Sequence, residues 1–393
     1  MPMIRKRSLS PFIDADLRSK MVFVAGPRQV GKTTLGLNLL EEWGTGAYLN
    51  WDNRGDRKAI RNTEWPGGDH PLVVLDEIHK WRTWKGWLKG EFDKHGNRVH
   101  FLVTGSARLD LYRRGGDSLQ GRYHHYRLHP FSLAEINRQK LSGWEPGKEI
   151  SVPGRGDQEV LESLLALGGF PEPFLADSPR KLRRWQKERV DRFLREDVRD
   201  LETIRDLASM QLLADLLPER VGSLLSINAL RENLEVSHRA VSNWMEILER
   251  LYYGYRIRPH AAKKIQSIRQ MPKAYLWDWS MVEDRTSRFE NLIAGHLLKF
   301  CHLLADRDGY RTDLVFLRDR TGKEVDFLVT VNRKPWFCVE AKVAATRIDP
   351  AIPYFRDRVD IPWSYQVTLE GNKDFVQDGI RCLPAHRFLA ALA

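Results

Sequence analysis

Residues 22–34 read Val22-Phe-Val-Ala-Gly26-Pro-Arg-Gln29-Val30-Gly31-Lys32-Thr33-Thr34, and the fold of the first part of the chain follows from them. A short apolar run of strand character stops at Gly26. After the second glycine come Lys32 and Thr33, and then Leu35, Leu37, Leu39 and Leu40, an apolar pattern of helical type. GxxxxGK[ST] between a strand and a helix is the spacing of a P-loop. Gly26 and Gly31 permit the turns that aim successive backbone N–H groups at a polyphosphate, with Gln29, Val30, Gly31, Lys32, Thr33 and Thr34 completing the cradle. The following helix adds the positive end of its dipole. Lys32 is expected to reach the β- and γ-phosphates and Thr33 to ligate Mg²⁺, so ATP and Mg²⁺ are the expected cofactors.

The chain has 393 residues, enough for roughly two to four domains of about 100–200 residues each. It is 42% hydrophobic and 29% charged, with no apolar run near the ~20 residues a bilayer requires, so no membrane partner is expected. Met1-Pro-Met-Ile-Arg-Lys-Arg-Ser8 has basic residues without an apolar stretch behind them and does not resemble a secretion signal. Cys301, Cys338 and Cys382 are far apart and form no CxxC pair, which suggests neither a zinc site nor a disulfide framework. A cytoplasmic location is expected. The net charge of +11, from 63 Lys and Arg against 52 Asp and Glu, favours a polyanionic partner without separating DNA, RNA and acidic protein.

Further along, Pro71-Leu-Val-Val-Leu-Asp76-Glu77 describes a buried parallel strand with charge at its C-terminal tip, where ligands sit in open α/β sheets. It is a Walker B pattern. Asp76 would hold the Mg²⁺ shell, and Glu77 would orient the attacking water. The spacing of Trp81, Trp84, Trp87 and Leu88 predicts a core-facing helix over Trp81–Phe92. Val99–Ser106 repeats the buried strand with a polar tip, and Gly, Pro and charge between residues 142 and 158 read as a linker. Residues 159–206 are helical in pattern, broken at Gly168-Gly-Phe-Pro171, with a long charged helix from Lys181 to Arg205.

Residues 208–279 resemble a winged helix. Ser237 is a candidate N-cap for a third helix whose apolar face is Ala240, Val241, Trp244, Ile247, Leu248 and Leu251. His238, Arg239, Ser242 and Asn243 lie near its N-terminal end, where a recognition helix meets base edges. Arg256, Arg258, His260, Lys263, Lys264, Arg269 and Lys273 follow as a basic wing able to track a phosphate backbone. Winged helices also dock proteins, and Glu232, Glu246 and Glu249 temper the charge.

Beyond residue 283, a helix carrying Glu290 precedes Glu324-Val-Asp326-Phe and then Glu340-Ala-Lys342, an order that resembles the restriction-endonuclease-like PD-(D/E)XK fold. Strand residues two apart share a face, so Glu340 and Lys342 point one way and Val339 and Ala341 the other. Asp326 and Glu340 would chelate Mg²⁺, Glu290 would complete the site and Lys342 would activate water. Such folds also serve as scaffolds and DNA clamps, so cleavage is left open.

These motifs, with Thr104-Gly-Ser106, Leu119-Gln-Gly121-Arg122 and Gly168-Gly-Phe-Pro171-Glu, resemble those of prokaryotic AAA-type ATPases that carry a C-terminal domain of unknown function. The resemblance covers nearly the whole chain. It implies that the strand of Thr104 lies between the P-loop and Walker B strands, with Thr104 or Ser106 sensing the γ-phosphate. It further points to Arg122 as a finger reaching a neighbouring subunit and to Arg108 as a sensor within the chain; a surface arginine is the alternative for each. The expected fold class is α/β: a parallel-sheet P-loop ATPase core over 1–145, a linker and helical lid over 146–206, a winged helix over 207–282 and a restriction-endonuclease-like α/β domain over 283–393. The expected activity is ATP hydrolysis driving a DNA motor or remodeller, working on duplex or branched DNA as a ring homo-oligomer such as a hexamer. An ATP-gated, Mg²⁺-dependent nuclease and a nucleotide-dependent switch for a protein partner are the alternatives.

Overall fold

The structure, a computed structural model, describes residues 6–106, 109, 119–138, 143–192, 206–261, 271–345 and 347–393. Arg108, Lys263, Lys264 and Arg269, and the expected helix beyond Arg192, lie outside the described residues. Two compact units divide the chain, Met1–Pro130 and Phe131–Ala393.

In the first unit α1 (Ser10–Leu17) leads into β1 (Met21–Ala25), α2 (Lys32–Trp43), β2 (Gly46–Asn50), α3 (Arg54–Asn62), β3 (Leu72–Asp76), α4 (Trp84–His95), β4 (His100–Gly105) and β5 (Tyr123–Arg127). The sheet order is β2-β3-β4-β1-β5, with every pair parallel. β1 and β3 are buried throughout, which is why β1 reads as an unbroken apolar run and β3 as one up to Asp76. β4 lies between the strands of the P-loop and of Asp76, as expected. The register sets Asn50 beside Asp76, Asp76 beside Thr104 and Ala25 beside Gly105, so one sheet edge gathers the polar tips. The helix expected from Trp81 begins instead at Trp84. Glu77 donates its amide to Thr104 O at 2.9 Å. The chain then reverses through a left-handed Glu77 and a 3₁₀ turn over Ile78–Lys80 before the helix starts. Trp84 and Leu88 enter the core, and Trp81 and Trp87 pack against it.

The second unit begins with α5 (Leu133–Ile136), α6 (Gln158–Leu167), α7 (Pro171–Ala176) and α8 (Pro179–Arg192). Then come α9 (Leu207–Leu216), α10 (Ile227–Leu234), α11 (His238–Arg250) and the antiparallel pair β6 (Gly254–Pro259) and β7 (Lys273–Leu276). After these follow α12 (Arg285–Asp308), β8 (Thr312–Arg318), β9 (Glu324–Val331), β10 (Lys334–Lys342), α13 (Ala351–Val359), β11 (Trp363–Thr368), β12 (Phe375–Gln377), β13 (Ile380–Pro384) and α14 (Ala385–Ala390). Ser237 caps α11 by accepting from the Ala240 amide at 3.1 Å, as its position predicts. The expected break at 282/283 is bridged. β6 pairs with β8, which makes the hairpin part of one eight-stranded sheet, β12-β13-β11-β10-β9-β8-β6-β7.

The boundary expected at residue 145 lies at Pro130. Two features of the second unit explain why. Lys299 of α12, itself buried, donates to Ser132 Oγ at 2.9 Å and pairs with Glu135, which seats α5 against α12. The Gly- and Pro-rich stretch taken as a linker is fastened to the end of the sheet. Trp144 Nε1 donates to Ala391 O (3.0 Å), Trp336 Nε1 to Lys148 O (2.7 Å), Trp363 Nε1 to Gly147 O (2.9 Å) and the Ile150 amide to the Tyr365 hydroxyl (3.1 Å). Indole N–H donors supply three of these four bonds, so tryptophans hold what composition alone reads as loose chain.

His296 completes the seat of α5. Its Nδ1–H donates to Leu292 O at 2.8 Å, and Nε2 accepts the Leu133 amide at 3.1 Å, an arrangement only the neutral ring makes. Burial, reinforced by the nearby Lys299 charge, pushes its pKa down to about 4. An unfolded histidine titrates near about 6.5, so on acidification the unfolded chain takes the proton first. The contribution of His296 is therefore complete above about pH 6.5 and is lost as the pH falls from there to about 4. In urea unfolding, the stability advantage of wild type over His296→Gln should shrink by roughly 2–3 kcal/mol between pH 7 and 4.5. A difference that does not change with pH would contradict this.

Candidate nucleotide-binding site

The phosphate-binding turn is built by approach as much as by sequence. A Cβ on Gly26 would meet Leu128 O at 2.4 Å, so only glycine lets the turn lie against β5's exit. Gly31 opens α2 with φ +97°, a left-handed conformation that glycine adopts without strain, and Gln29 is also left-handed at φ +62°. Val30 is fully buried and its carbonyl accepts from Arg7 Nη1 at 2.8 Å. Arg7, buried at 7% exposure, also donates to His129 O. One guanidinium thus clamps the loop from beneath. The Lys32 ammonium donates to Gly26 O at 3.0 Å and Pro27 O at 2.7 Å, inside the loop it is expected to serve.

Asp76 is the centre of the site. Its Oδ2 accepts from Thr33 Oγ1 at 2.9 Å and from the Tyr48 hydroxyl at 2.7 Å, and its Oδ1 from Thr104 Oγ1 at 2.6 Å. The structure thus brings Lys32, Thr33, Asp76 and Thr104 together at one sheet edge. Of the two sensor candidates Thr104 touches Asp76, while Ser106 Oγ lies 3.5 Å from His79 Nε2. Burial, then the hydrogen bond to Asp76, pushes the Tyr48 phenol well above its ordinary pKa, so it stays a donor. Tyr48 is held in turn by Asn50 Nδ2 at 3.3 Å. A carboxylate flanked by a P-loop threonine, in a cradle that glycine alone fits, suits a triphosphate and Mg²⁺.

Arg122 does not join this edge. It precedes β5, its carbonyl pairs with the Met21 amide, and a five-residue strand separates it from Ala25, roughly 15 Å at about 3.3 Å per residue. Its guanidinium is engaged bidentately by Asp93, at 2.7 and 3.1 Å. Within the chain, Arg122 is a surface ion-pair residue.

In the second unit the expected Glu290, Asp326, Glu340 and Lys342 do converge, around lysines. Lys273 Nζ, only 3% exposed, lies 3.1 Å from Glu290 Oε1, 2.5 Å from Glu324 Oε1 and 3.4 Å from Asp326 Oδ1. Tyr275 donates to Glu290 Oε1 at 2.7 Å. Glu340 accepts from the Asp326 amide at 3.2 Å and pairs with Lys342 at 2.7 Å; Lys342 also pairs with Asp349 at 2.9 Å. Burial, and for the two glutamates the Asp326 charge, raises the carboxyl pKa values of Glu290, Asp326 and Glu340. Burial alone would lower the Lys273 pKa, but Glu290, Asp326 and Glu324 outweigh it and raise it. Among the described residues no group of three or more His, Cys, Asp or Glu side chains is arranged to hold a metal ion. In this arrangement Lys273 and Lys342 are the cations that face the carboxylates of Glu290, Asp326 and Glu340. Lys273, expected on the basic wing, is buried, and Arg256 pairs bidentately with Glu249 at 2.5 and 2.8 Å. On α11, His238, Arg239 and Asn243 are exposed, and Ser242 Oγ contacts His238 Nδ1 at 3.4 Å.

Residues 18–137 match the family model of an AAA domain. Residues 158–290 and 286–388 match two models, each described as a domain of unknown function (DUF8612 and DUF4143). The uncharacterized protein Rv2008c of Mycobacterium tuberculosis is 24% identical over 332 residues, covering 81% of this chain and 69% of that one. The uncharacterized protein MJ1544 of Methanocaldococcus jannaschii is 24% identical over 291 residues, covering 70% and 60%. Among solved structures, the Walker-type ATPase PABY2304 of Pyrococcus abyssi aligns with a TM-score of 0.42 at 14% identity, over 73% of this chain and 96% of that one. The AAA-domain match and the sheet order make the first unit an AAA-type P-loop ATPase domain. No described helix is long and apolar enough to cross a membrane.

Lys273→Met leaves Glu290, Glu324 and Asp326 facing one another in a buried pocket. Stranding one side of a buried ion pair costs about 3–5 kcal/mol, and urea unfolding should show a loss of that order. Lys273→Met with Glu290→Gln should recover part of it. Unchanged stability in the single variant would show that Lys273 is not the counter-ion.

Proposed function

We propose that the chain is an ATP-hydrolysing AAA-type enzyme that engages duplex or branched DNA and remodels or moves along it as a ring homo-oligomer. The observation that carries the hydrolytic part is the Asp76 carboxylate, shared by Thr33, Tyr48 and Thr104 beside the P-loop lysine. In this reading Lys32 exchanges the carbonyls of Gly26 and Pro27 for phosphate oxygens. Gln29, Val30, Gly31, Thr33 and Thr34 present their amides to the polyphosphate. Thr33 and Asp76 would hold Mg²⁺, which would supply charge neutralisation at the phosphates. Thr104, already bonded to Asp76, reports the phosphate's presence to the strand between the two motifs. Glu77 orients the attacking water.

The N-terminal end of α11 offers His238, Arg239, Ser242 and Asn243, and the net charge of +11 suits a polyanion. Ser237 fixes where that helix starts and hence which side chains stand at its tip.

Glu77→Gln should retain ATP binding and lose at least about a hundredfold in phosphate release, whereas Lys32→Ala should lose binding as well. Linear, forked or four-way DNA should raise the wild-type rate, and Arg239→Ala should weaken that stimulation. A rate indifferent to every DNA structure would overturn the DNA reading and favour a nucleotide-dependent switch for a protein partner. Sedimentation with and without ATP tests the ring; a monomer in both would exclude it.

A further inference from the structure

Glu77 takes no part in the hydrogen bonds around Asp76 described above, although the two are adjacent in sequence. Its carboxylate lies 3.3 Å from the Lys80 ammonium and 3.6 Å from His79 Nε2. Lys80 is shared, because it also donates to Asp52 Oδ2 at 2.5 Å. Asp52 follows Trp51 and Lys80 precedes Trp81, and these two indoles stack with centroids 4.9 Å apart and planes 7° from parallel. The segment after β2 and the turn after β3 are thus joined twice, by an aromatic stack and by an ion pair. Arg57 strengthens the first segment by donating to Asp52 O at 3.1 Å. The Glu77 backbone is fixed independently. It holds φ 56° and ψ 19°, a left-handed conformation uncommon for a non-glycine residue, with its amide on Thr104 O. Only the side chain is left to move, and of the two basic groups beside it the Lys80 ammonium is the nearer.

We propose that Lys80 is a positioning residue that restrains the Glu77 carboxylate from its hydrolytic pose, with Asp52 competing for the ammonium and so setting the strength of the restraint. This rests on the ATPase reading above and concerns the regulation of the same site. Burial alone would lower the Lys80 pKa; Asp52 and Glu77 together outweigh it and hold it above the ordinary lysine value, so the restraint is present at neutral pH. Glu77 must give up the ion pair before it can align a water, and the cost falls on turnover and not on nucleotide affinity. Any contact that draws Lys80 further onto Asp52 would release the carboxylate, and any that removes Asp52 would tighten the hold.

The experiment is steady-state phosphate release by the full chain with Mg²⁺ and varied ATP, for wild type, Lys32→Ala, Lys80→Met, Lys80→Arg, Asp52→Asn and Lys80→Met combined with Asp52→Asn. Lys80→Met should raise kcat by about 3–10-fold, the scale of a partly exposed ion pair, with KM for ATP changed less than about twofold. Lys80→Arg, which keeps the charge, should stay near wild type. Asp52→Asn should lower kcat in the wild-type background and have no effect once Lys80 is methionine. Turnover that depends on Lys32 but has the same kcat in Lys80→Met, or an Asp52→Asn effect independent of Lys80, would overturn this inference alone. A fall in kcat shared equally by Lys80→Met and Lys80→Arg would show that Lys80 has only a packing role. Turnover no greater in wild type or Lys80→Met than in Lys32→Ala would overturn the ATPase reading, and this inference with it.

Discussion

Three hydroxyl groups from three separate elements converge on one carboxylate. Thr33 opens α2, Tyr48 lies on β2 and Thr104 on β4, and each donates to Asp76 at the tip of β3. Hydrogen bonds to a charged acceptor are stronger than neutral ones, and a buried carboxylate without donors is costly, so the position of this group dictates the spacing of the surrounding strands and helix. β1 is wholly apolar and β3 is apolar up to Asp76 itself, so the sheet interior contributes cohesion without competing for these polar tips. Function and fold meet at one residue, because the carboxylate that ties the sheet edge together is the one that would hold a cation beside the phosphates.

The second unit buries two lysines among carboxylates. Lys299 is buried against Glu135 and Ser132, and Lys273 against Glu290, Glu324 and Asp326. Buried ion pairs add little net stability compared with apolar packing, yet breaking one is expensive. Their effect here is to fix which segments meet. Lys299 seats α5 on α12, and Lys273 ties β7 to α12 and β9, so that the hairpin and the C-terminal strands form one continuous sheet. A PD-(D/E)XK-like order of acids in sequence therefore ends in a cluster whose charge the chain balances in part by itself.

Much of the first unit was legible because its signals are local. Gly26 to Thr34 and Asp76-Glu77 are defined by spacing on a strand, a turn and a helix start, and Ser237 announces α11 by a cap that reaches three residues ahead. Arg7 and Tyr48 were not legible, because what makes them part of the site is distance in space. The Arg7 guanidinium bonds to Val30 and to His129, which lie far along the chain, and nothing in Ile4-Arg-Lys-Arg7 marks one arginine as buried. Tyr48 and Asn50 do share a strand face, and that period of two was the available signal. Lys273 misled because a count of basic residues carries no sense of inside and outside. The stretch from residue 143 to 158 misled for the opposite reason: its glycines and prolines read as loose, and the tryptophan donors that hold it are supplied mostly from β10 and β11. Lys80 stood four residues from Asp76 in plain view, but its role needs Asp52, brought near by the β2–β3 pairing.

The central claim is that Asp76 organises a hydrolytic nucleotide site. Its most direct test is phosphate release from ATP by the full chain, measured with Mg²⁺ and again with EDTA, for wild type beside Asp76→Asn. Wild-type release should saturate with ATP and stop in EDTA, and the variant should be at least about a hundredfold slower while remaining folded. Equal rates in the two proteins, or no release above background from the wild type, would contradict it.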